Sequence, residues 1–238
     1  MASIDIESLY TSIPLDETIE ILTSKAFEKG IIFKGFTEEN FKKFLELTLK
    51  DTLLKFNDKI YRQRDGLAMG GPASGQLANV FLCHHETNWL DQCPLKFRPV
   101  LYKRFADDTF LLFRDKSHIA PFVDYLNKQH PAMRFTSETE QNNTLSFLGI
   151  NVNRENNNFT TSVFRKNTFT GLATNFSSFI PHIFKINLIR TLVYRAYSIY
   201  SDAIYLKTEC EFLKTFMSSN GIPEILATSQ IKKKPSQN

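Results

Sequence analysis

A chain of 238 residues with 42% hydrophobic and 13% aromatic content can bury one large core or two modest ones, which excludes a disordered segment and bounds the count at one or two domains. No run of about eighteen apolar residues occurs, and Asp5 and Glu7 stand where a signal peptide needs basic and then apolar residues; neither a membrane span nor a leader is expected, and an intracellular protein of nucleus or cytoplasm is. The formal charge of +4 conceals an asymmetry, ten Lys or Arg against four Asp or Glu from Thr161 onward, and such a basic third suits a polyanionic partner.

Taken in chain order, Ser3-Ile-Asp-Ile-Glu7 alternates with period two, which predicts a strand with Ile4 and Ile6 on one face and Asp5 on the other. Pro14 and Asp16 open a helix that reads to Lys29 and stops at Gly30. Thr37 caps another, whose stripe of Phe41, Phe44, Leu45 and Leu49 is expected to face the core. The Asn57-Asp58 pair between short apolar stretches predicts a hairpin over 53–64. The glycine-dense loop Gly66 to Ser74 then feeds a helix from Gln76 to Leu90 with Leu77, Val80, Phe81 and His84 along one side.

Two apolar strands, Val100 to Phe105 and Thr109 to Phe113, leave Ala106-Asp107-Asp108 only enough chain for a tight hairpin with carboxylates at its tip. A helix over 117–129 and strands near 133–139, 144–152 and 159–164 follow. Beyond Gly171 the character changes: Pro181 begins a long helical stretch, Asp202 to Ser219 forms a second helix ending near Gly221, and Lys232 to Pro235 is a polar tail. The boundary between two domains is placed at 168/169.

An aspartate on a first strand and an Asp-Asp pair on a later hairpin can meet at adjacent strand ends, where divalent ions are held by a few protein oxygens plus substrate phosphates. Two-metal phosphoryl transfer requires that arrangement. Turn chemistry alone also favours aspartate, so the pair by itself decides nothing. Cys83, His84, His85 and Cys93 invite a zinc site, but successive helical residues point about 100° apart and cannot converge on one ion. The three cysteines, Cys83, Cys93 and Cys210, read as free thiols of a reducing compartment.

Three segments in order, Asp5-Ile-Glu-Ser-Leu-Tyr-Thr-Ser-Ile-Pro14, Gly66-Leu-Ala-Met-Gly-Gly-Pro-Ala-Ser-Gly-Gln-Leu-Ala-Asn79 and Tyr102-Lys-Arg-Phe-Ala-Asp-Asp-Thr-Phe110, resemble the successive A, B and C motifs of reverse transcriptases. Phe135-Thr-Ser-Glu-Thr-Glu140, Leu145-Ser-Phe-Leu-Gly149 and Phe164-Arg-Lys-Asn-Thr-Phe-Thr-Gly171 extend the similarity to Penelope-like retroelements, over about residues 3–205.

The resemblance implies an α+β fold: a right-hand polymerase palm, an antiparallel sheet with packing helices and partial fingers, over 1–168, followed by an α-helical thumb-like segment over 169–238. It implies an RNA-directed DNA polymerase in which Asp5 and Asp107 bind two Mg2+, or Mn2+ in their place, with Asp108 in a weaker or less direct role. RNA template, DNA primer and deoxynucleoside triphosphates are the implied partners. Tyr10 resembles the steric gate that leaves no room for a 2′-hydroxyl. Met69 and Gly70 are assigned to the nucleotide, and Gly66, Pro72 and Ser74 to the template-primer. Phe147, Leu148 and Gly149 occupy the place of the primer grip, with glycine at 149 where many relatives carry aspartate. Arg190 and Arg195, with Lys185 and Lys207, are expected on helices that track the product duplex. Lys128 has no firm motif match and reads as a surface lysine.

Only four residues precede Asp5, where relatives place most of their fingers, and no GIY-YIG endonuclease motif follows. The expectation is a truncated polymerase, incomplete by itself. Two alternatives stand beside it. An RNA-dependent RNA polymerase usually carries a second aspartate at the position of Tyr10. A non-catalytic nucleic-acid-binding remnant would use the segment from Pro181 to Gly221 as a helix-turn-helix-like module, although no recognition-helix signature is distinct.

Overall fold

The alternating N-terminal segment becomes β1 (Ala2–Ile6) in the computed structural model, which describes residues 1–28, 35–155 and 158–233. Ala2, Ile4 and Ile6 are buried while Asp5 is exposed, as a period-two pattern dictates. The chain divides into two compact units, Met1–Thr139 and Glu140–Asn238.

In the first unit β1 is an inner strand of a four-stranded sheet with order β4-β5-β1-β6, in which every pairing is antiparallel. Its partners are β4 (Leu101–Phe105), β5 (Asp108–Leu112) and β6 (Phe135–Thr139). Ile4 lies opposite Thr109 on one side and Ser137 on the other. One face is therefore set by Ile4, Ile6, Leu111 and Phe135, each of which stabilises the unit by about 1.5–3 kcal/mol on full burial. Beneath it lie α2 (Leu15–Glu28), α4 (Ser74–Gln92) and α5 (Ile119–Leu126), which contribute Ile19, Phe81, Leu82 and Phe122 to the same core. The predicted end of α2 at Lys29 and Gly30 lies outside the described residues.

One feature differs from expectation. In α3 (Glu38–Leu49) no residue is buried: Leu45 and Leu49 only lean on the core, and Phe44 is exposed. The helix packs on α2 from outside, tied by ion pairs from Lys42 to Glu20 and Lys50 to Asp16, and among the described residues its apolar stripe is covered only in part, with Phe36 edge-on to Phe41 and Phe44. The hairpin β2 (Leu53–Phe56) and β3 (Lys59–Arg62) forms as predicted, with Asn57 and Asp58 both at positive φ. It is a free ribbon exposed on both faces, with Phe56 70% and Ile60 72% accessible.

The second unit opens with a separate meander of β7 (Thr144–Phe147), β8 (Ile150–Glu155) and β9 (Asn158–Val163). The single strand expected over 144–152 is broken by a two-residue turn in which Leu148 (φ 48°) and Gly149 (φ 75°) both take left-handed backbone. Then come α6 (His182–Ile199), α7 (Ala203–Ser219), capped by Asp202, and α8 (Glu224–Lys232), which the sequence reading did not foresee. Ile189, Val193, Leu213, Met217, Ala227 and Ile231 join the three helices in a core of their own. The compact boundary at 139/140 falls before the expected 168/169 because the meander belongs with these helices. The Thr161 N–H donates to Ser201 Oγ at 2.8 Å, and Arg165 pairs with the buried Glu209 of α7. Lys234 and Pro235 of the predicted tail lie outside the described residues.

Candidate active site

The register that buries Ile4 against Thr109 puts the next pair, Asp5 and Asp108, on the opposite and open face of the sheet. Glu138 of β6 lies on that face too, opposite Ser3. Asp107 occupies the two-residue turn between Phe105 and Asp108. The three predicted aspartates therefore come together. Glu138, which the sequence reading passed over as part of a motif string, joins them because it shares the parity of Asp5's neighbour Ser3.

Charge at this face is unbalanced. Partial burial and then the Asp107 carboxylate hold Asp5 above the usual carboxylate range, with Glu7 and Glu138 adding to the effect. Asp108 is raised in the same way, by burial first and then by Asp107, Asp5 and Glu138. Among the described residues no cation is among the charges that act on either group. Like charges gathered without a partner cost free energy, and hard divalent ions with oxygen preference relieve such repulsion. The donor set thus fits divalent ions of the Mg2+ or Mn2+ type, with Asp5, Asp107 and Asp108 as the residues able to hold them.

At the Phe105-Ala106 end of the hairpin, next in sequence to Asp107, lies a cavity of about 410 Å3, bounded by Tyr10, Gly75, Gln76, Asn79, Arg104 and Ala106 among others. Tyr10 sits in the single helical turn α1 (Leu9–Ser12), entered through Ser8 at φ 52°. Its carbonyl accepts from Leu67 N–H at 2.7 Å, which fastens the glycine-dense loop to the turn. Asp65 Oδ1 accepts from Leu15 N–H and Gly66 N–H at 3.0 and 2.8 Å, capping α2 from the base of that loop. Gly66 (φ 83°) is required by this fastening: a Cβ there would come within 2.6 Å of the Thr11 carbonyl oxygen. Its bare Cα therefore faces protein backbone. Ser74 is buried with Oγ donating to Ala68 O at 2.7 Å, so its hydroxyl is spent inside the loop. Met69, Gly70 and Pro72 are exposed at the loop tip, Met69 at 80%.

On the underside of the sheet Tyr102 and Arg104 project towards α4. Glu86 Oε1 accepts from Tyr102 Oη at 2.6 Å and from Arg104 Nε at 2.7 Å. The same guanidinium reaches Asn79 Oδ1 at 2.9 Å, Cys83 Sγ at 3.3 Å and Ala106 O at 3.0 Å. Burial, then the Glu86 carboxylate, pushes the Tyr102 phenol far above its usual value, so it remains a hydrogen-bond donor.

Residues 1–155 match the family described as reverse transcriptase (RNA-dependent DNA polymerase). The chain belongs to the reverse transcriptase family. Such enzymes generally use divalent metal ions, in keeping with the open carboxylate face. Residues 172–232 match a second family, the animal helix-turn-helix domain, which spans α6 to α8. Among solved structures, telomerase from Candida albicans, in complex with the TWJ fragment of telomeric RNA, is similar at a TM-score of 0.62 and 11% identity over 99% of this chain. Telomerase from Candida tropicalis with the same kind of fragment gives a TM-score of 0.50 at 11% identity over 92%. The chain spans 42% and 39% of those two proteins, and the likeness is one of fold: an α+β polymerase architecture built on antiparallel sheet. Comparison with curated proteins finds no match. Among the described residues no helix is long and apolar enough to cross a membrane.

Within this reverse transcriptase fold the zinc quartet weighed from the sequence does not assemble, since Cys83 is exposed and Cys93 buried elsewhere. His85 instead meets Glu17 of α2 and His130, with ligating atoms within 4.8 Å of one another. Glu17 contacts His85 Nε2 at 2.9 Å and His130 Nε2 at 3.1 Å. Ala132 N–H donates to His130 Nδ1 at 3.2 Å, so Nε2 carries the proton that Glu17 accepts and has no lone pair for a metal. Stacked on Trp89 at 5.4 Å and held below its usual range by burial, His85 completes a hydrogen-bonded clasp between α2, α4 and the loop before β6. Sixty-eight and 113 residues separate the partners of Glu17, so no local pattern could announce them.

In the second unit Phe147, Leu148 and Gly149 form the tip of the β7–β8 hairpin, and Gly149 O accepts from Arg195 Nη2 at 3.4 Å. Two predicted groups, grip and duplex-tracking arginine, thus meet. Arg190 and Lys207 are exposed on α6 and α7, as Lys128 is in the first unit. Lys185 differs from expectation: its ammonium donates to Phe176 O and Ser178 O at 2.5 and 2.6 Å, closing the loop before α6.

Proposed function

We propose that this chain is the RNA-directed DNA polymerase of a Penelope-like retroelement, joining deoxynucleotides to the 3′-hydroxyl of a DNA primer on an RNA template. The observation that carries the reading is the convergence of Asp5, Asp107 and Asp108 at one open sheet face, where no cation among the described residues offsets the charges on Asp5 and Asp108. Asp5 and Asp107 would hold two Mg2+, and Asp108 would steady the pair. Bound there, the ions supply charge neutralisation at the attacking hydroxyl and the departing pyrophosphate. Tyr10, on the wall of the neighbouring cavity, would close it to a 2′-hydroxyl, while Met69 and Gly70 approach the nucleotide and Gly66, Pro72 and Ser74 shape the template side through their backbone. Phe147 to Gly149, with Arg190 and Arg195, would grip the primer-template duplex. In functional terms 1–168 is palm with part of the fingers and 169–238 thumb. The Penelope-like assignment rests on the strings at 135–140, 145–149 and 164–171.

Primer extension on poly(rA)/oligo(dT) with Mg2+ tests this. Whatever incorporation of dTTP the chain supports by itself is expected to fall roughly a hundred- to a thousand-fold in Asp107→Asn, the loss typical of removing one group that stabilises developing charge. Equal incorporation by both proteins sinks the assignment. A second reading has the animal helix-turn-helix match behind it: a nucleic-acid-binding remnant that binds through α6 to α8. Binding unchanged by chelation in a chain without extension activity favours that one.

A further inference from the structure

Ala106 is the first residue of the turn that carries Asp107, and it stands at φ 55°. That half of a two-residue hairpin turn normally holds glycine, and a side chain there costs about 1–2 kcal/mol. Such backbone persists only when its surroundings enforce it. Arg104 supplies the enforcing contact: its Nη1 donates to Ala106 O at 3.0 Å, one peptide before Asp107.

The guanidinium is itself immobilised. Its Nε is on Glu86 and its Nη2 on Asn79 and Cys83, three residues spaced along the same face of α4, and only 9% of the side chain is accessible. A planar fork with five donors can serve all these acceptors at once, which an ammonium cannot. Pairing with Glu86 also keeps the positive charge beneath the sheet, where it does not take the place of a divalent ion among the aspartates.

We propose that Arg104 is a positioning residue that sets the Ala106-Asp107 turn from the underside of the sheet and thereby the aim of Asp107 at the metal site. The inference rests on the polymerase reading of that site. It makes α4, which follows directly from the glycine-dense loop, the rigid reference against which the carboxylate hairpin is held.

The test is Mn2+ binding by electron paramagnetic resonance on the full chain, with wild type, Asp107→Asn, Arg104→Lys and Arg104→Ala compared. Arg104→Lys retains the charge opposite Glu86 but cannot span to Ala106. It is expected to keep wild-type circular dichroism, with a lowered melting temperature, while losing roughly tenfold in Mn2+ affinity, the low end of losses when a supporting partner of a metal ligand is removed. Adding Ala106→Gly to Arg104→Ala is expected to restore part of the affinity, because glycine takes positive φ without strain. Should Arg104→Ala fail to fold, Arg104→Lys carries the test alone. A folded Arg104→Lys protein with wild-type Mn2+ affinity overturns the positioning role and leaves the polymerase reading standing. Wild-type protein whose Mn2+ binding is absent, or indifferent to Asp107→Asn, overturns both.

Discussion

The two faces of the β4-β5-β1-β6 sheet treat carboxylates in opposite ways. Underneath, Glu86 accepts from Tyr102 and Arg104 at 2.6 and 2.7 Å and is nearly shielded from solvent. On the open face partial burial and the neighbouring carboxylates, Asp107 first among them, raise the proton affinity of Asp5 and Asp108, and among the described residues no cation answers them. The buried charge is satisfied and structural; the half-exposed charges are frustrated and available. Stability and chemistry are thus separated by the thickness of one strand, and the hairpin from Tyr102 to Asp108 belongs to both.

The comparison breaks most visibly on the satisfied side. Glu86→Ala leaves Arg104 buried without its counter-charge, and a loss of about 3–5 kcal/mol is expected. Urea unfolding followed by tryptophan fluorescence, through Trp89 on the same helix, measures it; a change below about 1 kcal/mol, the ordinary worth of a surface pair, would make the two faces equivalent. Next in size is the His85–Glu17–His130 clasp. His130→Ala removes one charge-assisted hydrogen bond and an edge contact with Phe81 at 5.3 Å, for about 1.5–3 kcal/mol.

The smallest expected effect has the opposite sign. Asp107→Asn removes repulsion, so the metal-free protein is expected to gain up to about 1 kcal/mol, seen as a rise in melting temperature in EDTA that divalent ions erase for the wild type only. The pH dependence follows from the raised values of Asp5 and Asp108. A carboxyl whose folded pKa lies above its unfolded one favours folding below the unfolded value and loses that contribution as pH rises through the folded one. The metal-free wild type should therefore weaken from about pH 4 upwards across the carboxylate range, and the variant less so. Parallel pH curves for the two proteins would contradict the mutual repulsion.

The sequence announced the frustrated face far better than the satisfied one, and the reason is spacing. Period-two alternation fixes which side of a strand Asp5 takes, and two residues between apolar strands force a hairpin at Asp107. The clasp joins positions 17, 85 and 130, which only tertiary packing brings together. Arg104 lay between these cases. It shares the parity of Tyr102 on the sheet face that carries Ile4, Ile6, Leu111 and Phe135, and Asn79, Cys83 and Glu86 recur at helical spacing, so a buried polar seam was there to be read as such. The stripe of α3 misled because an amphipathic pattern states which face avoids water and not how many neighbours arrive to cover it. The hairpin at Leu148-Gly149 and the meander's allegiance to α6 and α7 depend on turn geometry and long-range pairing, which the composition change near residue 170 obscured.

The free ribbon of β2 and β3 has a consequence for the molecule in concentrated solution. Among the described residues no further strand pairs with either of its strands, so each presents a row of backbone donors and acceptors along its outer edge, flanked by Leu53, Phe56 and Ile60. That is the chemistry of cross-strand self-association and of amyloid nucleation. Lys59 beside the Asn57-Asp58 turn acts as a gatekeeper, its charge setting a repulsive barrier between ribbons of two molecules, one that added salt lowers, while Lys55 is paired with Asp58 at 2.8 Å.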